Sequence, residues 1–92
     1  NQDFSIAELQ LRGYPNPAYD KLTIQYTLPH RTVVNLSLYD VSGRLIDILV
    51  NEVQNSGIYL KKLKTTHFPQ GIYFVRLNID GACQMDKIIL LR

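Results

Sequence analysis

The stretch FPQGIYFVRL, Phe68 to Leu77, decides how this chain is read. Pro69 has no N–H and cannot sit in a central ladder, whereas Gly71, lacking Cβ, tolerates positive φ where the chain leaves a loop. Ile72 and Tyr73 then start a strand, since β-branched and aromatic side chains pack well on a pleated surface. A tyrosine at a strand start after such a loop resembles a tyrosine corner, in which the hydroxyl returns to the backbone of the preceding crossover. The same Gly-Ile-Tyr opening occurs earlier, in GIYLKKL from Gly57 to Leu63. Both copies follow loop signals, Asn55-Ser56 and Pro69-Gln70, and the unit is too short for a solenoid repeat. The repetition reads as architecture rather than chemistry.

Outward from these copies the period stays at two. Leu22, Ile24, Tyr26 and Leu28 alternate with Thr23, Gln25 and Thr27, and Val34, Leu36 and Leu38 alternate with Asn35 and Ser37. Ile46, Ile48 and Val50 form a weaker run, and Cys83–Leu91 closes the series on Ile88-Ile89-Leu90-Leu91. A short strand near Ala7–Leu11 would be the first. Tyr14-Pro15-Asn16-Pro17 reads as a turn, because each proline lacks an N–H and restricts its predecessor. Asp40-Val41-Ser42-Gly43 has the Asp-first, Gly-fourth preference of a type I turn, and Asp80-Gly81 is a strong hairpin signal. No segment carries a helical pattern. Strands at this spacing predict an all-β fold, a small immunoglobulin-like antiparallel β-sandwich of about seven strands.

The 92 residues suit one domain, and 46% hydrophobic residues is the composition of a packed core rather than a disordered tail. A net charge of +2 gives no reason to expect nucleic acid, and no apolar run is long enough for a spanning helix. Residue 1 is Asn and no signal peptide is visible, so the sequence reads as a piece of a longer precursor. Cys83 is the sole cysteine and reads as a small hydrophobe in a strand. With only His30 and His67 beside it, a metal site is not expected.

Enzyme signals are weak. Ser5, Ser37, Ser42 and Ser56 lack a nucleophile-elbow context, and there is no phosphate loop or dinucleotide fingerprint. His30 and His67 fall in predicted loops. Asp40 and Asp80 already have turn roles, which leaves no catalytic residue to name and no cofactor to expect. The run Lys61-Lys62-Leu63-Lys64 places Lys62 and Lys64 on one strand face and Lys61 on the other. It reads as an exposed strand guarded against edge-to-edge pairing.

Five stretches, in order, resemble the type A C-terminal sorting domain of the type IX secretion system, also called the Por secretion system sorting domain. They are Tyr14-Pro15-Asn16-Pro17-Ala18, followed by Asp20 to Ile24; Tyr39-Asp40-Val41-Ser42-Gly43-Arg44; Gly57-Ile58-Tyr59; Gly71-Ile72-Tyr73; and Lys87 to Arg92. The similarity runs from Tyr14 to Arg92. The lysines of Leu60–Lys64 depart from the alternating apolar pattern of the family. The resemblance implies a non-catalytic domain, residues 14–92, that directs an upstream passenger across the outer membrane to the cell surface or medium. Asn1–Gly13 would be a linker remnant and possible first strand.

The partners it implies are the outer-membrane translocon, surface sortase components and the passenger, with no nucleic acid, no membrane insertion and a monomeric state. Its sorting motif would be Lys87, Ile88, Ile89, Leu90, Leu91 and Arg92. Its structural motifs would include Tyr14, Pro15, Asn16, Pro17, Tyr39, Asp40, Gly43, Arg44, Gly57, Tyr59, Gly71 and Tyr73. The terminal run could be read by strand addition or could simply be the last core strand. Lys87 and Arg92, as charged residues flanking it, are expected to matter little for stability. The alternative is an immunoglobulin-like accessory or carbohydrate-binding module, with Tyr19, Tyr26, Tyr39, Tyr59 and Tyr73 as its aromatic groups.

Overall fold

The computed structural model describes residues 11–92, which form seven strands and no helix. These are β1 (Leu11–Tyr14), β2 (Lys21–Leu28), β3 (Thr32–Asp40), β4 (Leu45–Gln54), β5 (Gly57–Lys64), β6 (Gly71–Ile79) and β7 (Ala82–Leu90). They build two antiparallel sheets, β1-β2-β5 and β4-β3-β6-β7. This is the predicted immunoglobulin-like sandwich, with β4 placed beside β3 in the second sheet. Most of the strand anticipated near Ala7–Leu11 lies outside the described residues. The first described strand instead runs from Leu11 through Tyr14, so Tyr14 ends a strand where the sequence suggested a turn.

The alternation of β2, β3 and β6 does what period two dictates. Leu22, Ile24, Tyr26 and Leu28 meet Val34, Leu36 and Leu38, with Tyr73, Val75, Leu77 and Ile79, between the sheets. Ile88 and Leu90 of β7 complete this core. Burying each such side chain contributes about 1.5–3 kcal/mol before the entropy of ordering it.

β4 departs from the prediction. Register shifts against β3 fall between Leu36 and Ser37 and between Leu38 and Tyr39. A bulge changes which side chains face inward. Ile48 therefore points outward and is 49% exposed, while Ile46, Leu49 and Val50 pack on the core. Cys83 is a second correction. It is exposed, on the outer side of the β7 hairpin, and its Sγ accepts from Arg76 Nε at 3.1 Å. The pleat puts it opposite Asn78, away from the core.

The hairpin signal at Asp80-Gly81 was legible for a backbone reason. Both residues have positive φ, 51° and 80°, the pair of left-handed conformations a tight two-residue hairpin needs. The lysine-rich β5 pairs with β2 over its whole length, from Lys21–Lys64 to Leu28–Gly57.

Candidate functional site

The two ends of the described chain meet at one edge of the sandwich. After Tyr14, Pro15 and Pro17 have no N–H to donate, so the chain cannot continue its ladder with β2 and leaves that sheet. Both Tyr14–Pro15 and Asn16–Pro17 are cis peptide bonds. Asn16 then supplies with its side chain what a strand backbone would supply. Its Nδ2 donates to the Lys87 carbonyl at 2.8 Å, and its Oδ1 accepts from the Ile89 N–H at 3.0 Å. An Asn amide carries one donor end and one acceptor end, as a peptide group does. Ala18 extends the match in parallel orientation, donating to the Ile89 carbonyl at 2.8 Å and accepting from the Leu91 N–H at 2.9 Å.

The outer edge of Lys87–Leu91 is thus closed by Asn16–Ala18, and the side chains of that run alternate. Ile88 and Leu90 are buried, whereas Lys87 is exposed and Ile89 and Leu91 are half-buried. Ile88 is held closely from the opposite sheet. A Cβ on Gly13 would lie 2.5 Å from Ile88 Cδ1, so the isoleucine occupies the space that any side chain at residue 13 would need. The last core strand and the expected sorting motif are one object, and strand addition to its outer edge would first have to displace Asn16 and Ala18.

Arg92 corrects the expectation that a flanking charge matters little. Its guanidinium donates to the carbonyls of Tyr19 at 3.1 Å and Thr65 at 2.7 Å, and also to that of Phe68. Five donors in a rigid fork suit such a group of acceptors. Arg92 therefore ties the loop before β2 to the β5–β6 crossover, whose Thr65 is fully buried and donates its N–H to Asp20 O at 2.9 Å. Nothing local in the sequence announces this, because the acceptors are backbone atoms from two distant loops. Asn16 could have been found: it is the one residue between two prolines able to both donate and accept.

Both Gly-Ile-Tyr copies are the same device. Tyr73 Oη donates to the Pro69 carbonyl at 2.6 Å, and Tyr59 Oη donates to the Asn55 carbonyl at 2.7 Å, each four residues back. Gly71, at φ 153°, and Gly57, at φ 147°, permit the turn that brings each carbonyl under its ring. The copies lie in different sheets, so each sheet receives one corner. The ring of Tyr59 stacks on Tyr26 at 5.3 Å, and Tyr73 tilts against Phe68 at 6.1 Å. Burial pushes the Tyr73 phenol above its ordinary range, against the pull of the nearby Arg92 charge.

Tyr73→Phe should destabilise by about 0.5–1.5 kcal/mol, a fall of roughly 5 °C in melting temperature. Tyr59→Phe should cost less, because water can replace its more exposed bond. Equal melting curves for wild type and Tyr73→Phe would show that the buried corner contributes nothing.

The Tyr39–Arg44 stretch folds around one carboxylate. Asp40 Oδ1 accepts from Ser42 Oγ at 2.6 Å, Ser42 N at 2.9 Å and Arg44 N at 3.0 Å, while Oδ2 pairs with Arg44 Nη2 at 3.2 Å. Gly43, at φ 90°, closes the turn by donating its N–H to the Asp40 carbonyl at 3.0 Å. The Ser42 hydroxyl first, and the Arg44 amide next, hold the Asp40 carboxyl below its ordinary value of 3.8. A depressed acid stabilises the fold above the unfolded value and loses that contribution as pH falls through the folded one. The melting temperatures of wild type and Asp40→Asn should therefore differ at neutral pH and converge below pH 3.8. A gap that stays constant in acid would mean that the ionised form is not what the turn binds.

Among the described residues no group of three or more His, Cys, Asp or Glu could hold a metal. His30 and Asp80 approach to 3.3 Å, both exposed, and join the β2–β3 loop to the β6–β7 hairpin. The expected aromatic groups do not form a platform. Tyr26 and Tyr73 are buried, Tyr59 is spent on stacking, Tyr39 is half-buried in β3, and Tyr19 has no aromatic partner among the described residues, so a carbohydrate-binding reading is not favoured.

A family model described as "Secretion system C-terminal sorting domain" matches residues 12–91. No curated protein matches the chain. The chain belongs to this family, the C-terminal sorting signals of type IX secretion passengers, which places it at the cell surface or in the medium after export through the outer membrane.

Proposed function

We propose that, within this family, the chain works as a folded recognition unit with no catalysis of its own. Residues 14–92 act as the sorting unit, with the passenger on the side of Asn1–Gly13. The outer-membrane translocon, and then a surface sortase, read Lys87–Arg92 in the conformation the sandwich imposes. The observation that supports this reading most is the closure of Lys87–Leu91 by Asn16–Ala18. With its backbone edge bound, this segment offers a receptor side chains rather than a free strand. Those side chains are Lys87 and Ile89, set beside Phe74 and Ile72 of β6 by the strand register.

Lys87→Glu tests this in a periplasmic reporter fused to the chain and expressed in a host with a type IX system. Lys87 is exposed and makes no ion pair among the described residues, so the change should leave stability within about 0.5 kcal/mol. The expected result is a folded fusion retained in the periplasm, while Lys87→Arg is exported. Export of Lys87→Glu at the parental level would remove Lys87 from the signal.

A further inference from the structure

Among the described residues, β5 is the edge strand that charge alone guards. Proteins shield edge strands by shortness, bulges, charge or cover. The described part of β1, Leu11–Tyr14, runs into Pro15. β4 is interrupted by two register shifts. β7 is covered at Lys87–Leu91 by Asn16 and Ala18. β5 pairs with β2 without a break from Gly57 to Lys64, and among the described residues no strand lies on its other side.

Its outer face carries Ile58 and Leu60, 70% and 56% exposed, followed by Lys62 and Lys64. Lys21 lies directly across from Lys64, a like-charge pairing that is unfavourable by itself. Among the described residues the ion pairs are His30–Asp80 and Arg44–Asp40, so no carboxylate neutralises these three lysines. Its inner side borders a cleft of about 280 Å³ between β5 and β4, with the Tyr26–Tyr59 stack at its base and a mostly polar rim that includes Asn51, Glu52, Gln54 and Lys61.

We propose that β5 accepts an extended segment of a partner protein as a fourth strand of the three-stranded sheet. Backbone hydrogen bonds along Gly57–Lys64 supply affinity, as in other strand additions. Carboxylates on the outer face of the incoming strand meet Lys62 and Lys64, and small side chains on its inner face lie against Tyr59 and Lys61 at the mouth of the cleft. A parallel, in-register pairing of two β5 strands would set Lys61, Lys62 and Lys64 each against its own copy and is disfavoured, whereas an antiparallel pair would set them opposite Leu60, Tyr59 and Gly57, so dimerisation is followed in the same titration. The lysines of this edge are the groups that select an acidic strand.

Two capped octapeptides, one of alternating valine and glutamate and one of alternating valine and lysine, test this when titrated into the 92-residue chain at low salt. Backbone amide NMR shifts and hydrogen exchange are followed. The glutamate peptide should shift and protect amides of Gly57–Lys64, weaken as salt screens the charges, and outcompete the lysine peptide. The double variant Lys62→Glu with Lys64→Glu should bind the glutamate peptide about tenfold more weakly and reverse the preference. Absence of binding, binding mapped to another strand, equal binding of both peptides, or dimerisation through β5 would each overturn the proposal. Export of a reporter fusion is read separately, so a failure here leaves the sorting assignment standing.

Discussion

Ile88→Ala should lower the stability of the chain by about 2–5 kcal/mol, measured by urea denaturation. Ile88 is fully buried, and its Cδ1 fills the hollow left by Gly13, which couples β7 to β1 across the sandwich. Truncation removes the transfer energy of the lost carbons and leaves a space that Gly13 has no side chain to fill. The same contact predicts a coupling. Gly13→Ala alone places a Cβ 2.5 Å from Ile88 Cδ1 and 3.3 Å from Leu22 Cδ1, and should destabilise. In an Ile88→Val background, where Cδ1 is gone, Gly13→Ala should cost markedly less, since residues in contact are not additive. Additive losses, or an Ile88→Ala loss below about 1 kcal/mol, would contradict the packing of β7 on β1.

Asn16→Ala should be the next most damaging change. It removes a donor from the Lys87 carbonyl and an acceptor from the Ile89 N–H in one step, for a combined loss of about 1–3 kcal/mol. The diagnostic is local. Amide exchange at Ile89 should accelerate more than exchange at Val75 in the central strand β6, because the clasp opens without unfolding the core. Asn16→Asp retains an acceptor for Ile89 but offers no donor to Lys87, and should fall between the two. An alanine variant with unchanged Ile89 exchange would show that the segment is held by Ala18 and core packing alone.

The parts of this fold that were legible in the sequence are those where one strand face meets the core and the other meets water. β2, β3 and β6 are of that kind, and their alternation maps directly onto burial. β4 was misread because two bulges reset its phase, and a bulge leaves no mark in a period-two pattern. The continuation of β1 from Arg12 through Tyr14 was missed because its inward residue is Gly13, whose burial comes from Ile88 rather than from any side chain of its own. At the candidate site, the alternation of Ile88 and Leu90 and the corner at Tyr73 were readable from local pattern. The second corner at Tyr59 opens on the same Gly-Ile-Tyr, read as a loop exit and strand start, and needed the position of Asn55. Asn16 was marked by its place between two prolines, though not its partners, and Arg92 was beyond local reading, because it bonds backbone atoms far away in sequence. Some of the ordered motifs of the family therefore have a physical meaning here: the first clasps the last, and Tyr73 bonds Pro69 in the β5–β6 crossover on which Arg92 rests.

The central claim is that this chain directs export through a type IX system. The most direct measurement is the location of a periplasmic reporter fused to Asn1–Arg92, compared in a type IX-competent host and in the same host lacking its outer-membrane translocon. Reporter should appear at the surface or in the medium of the first host, and folded reporter should stay confined to the periplasm of the second. Confinement in both hosts, or release from both, would contradict that claim.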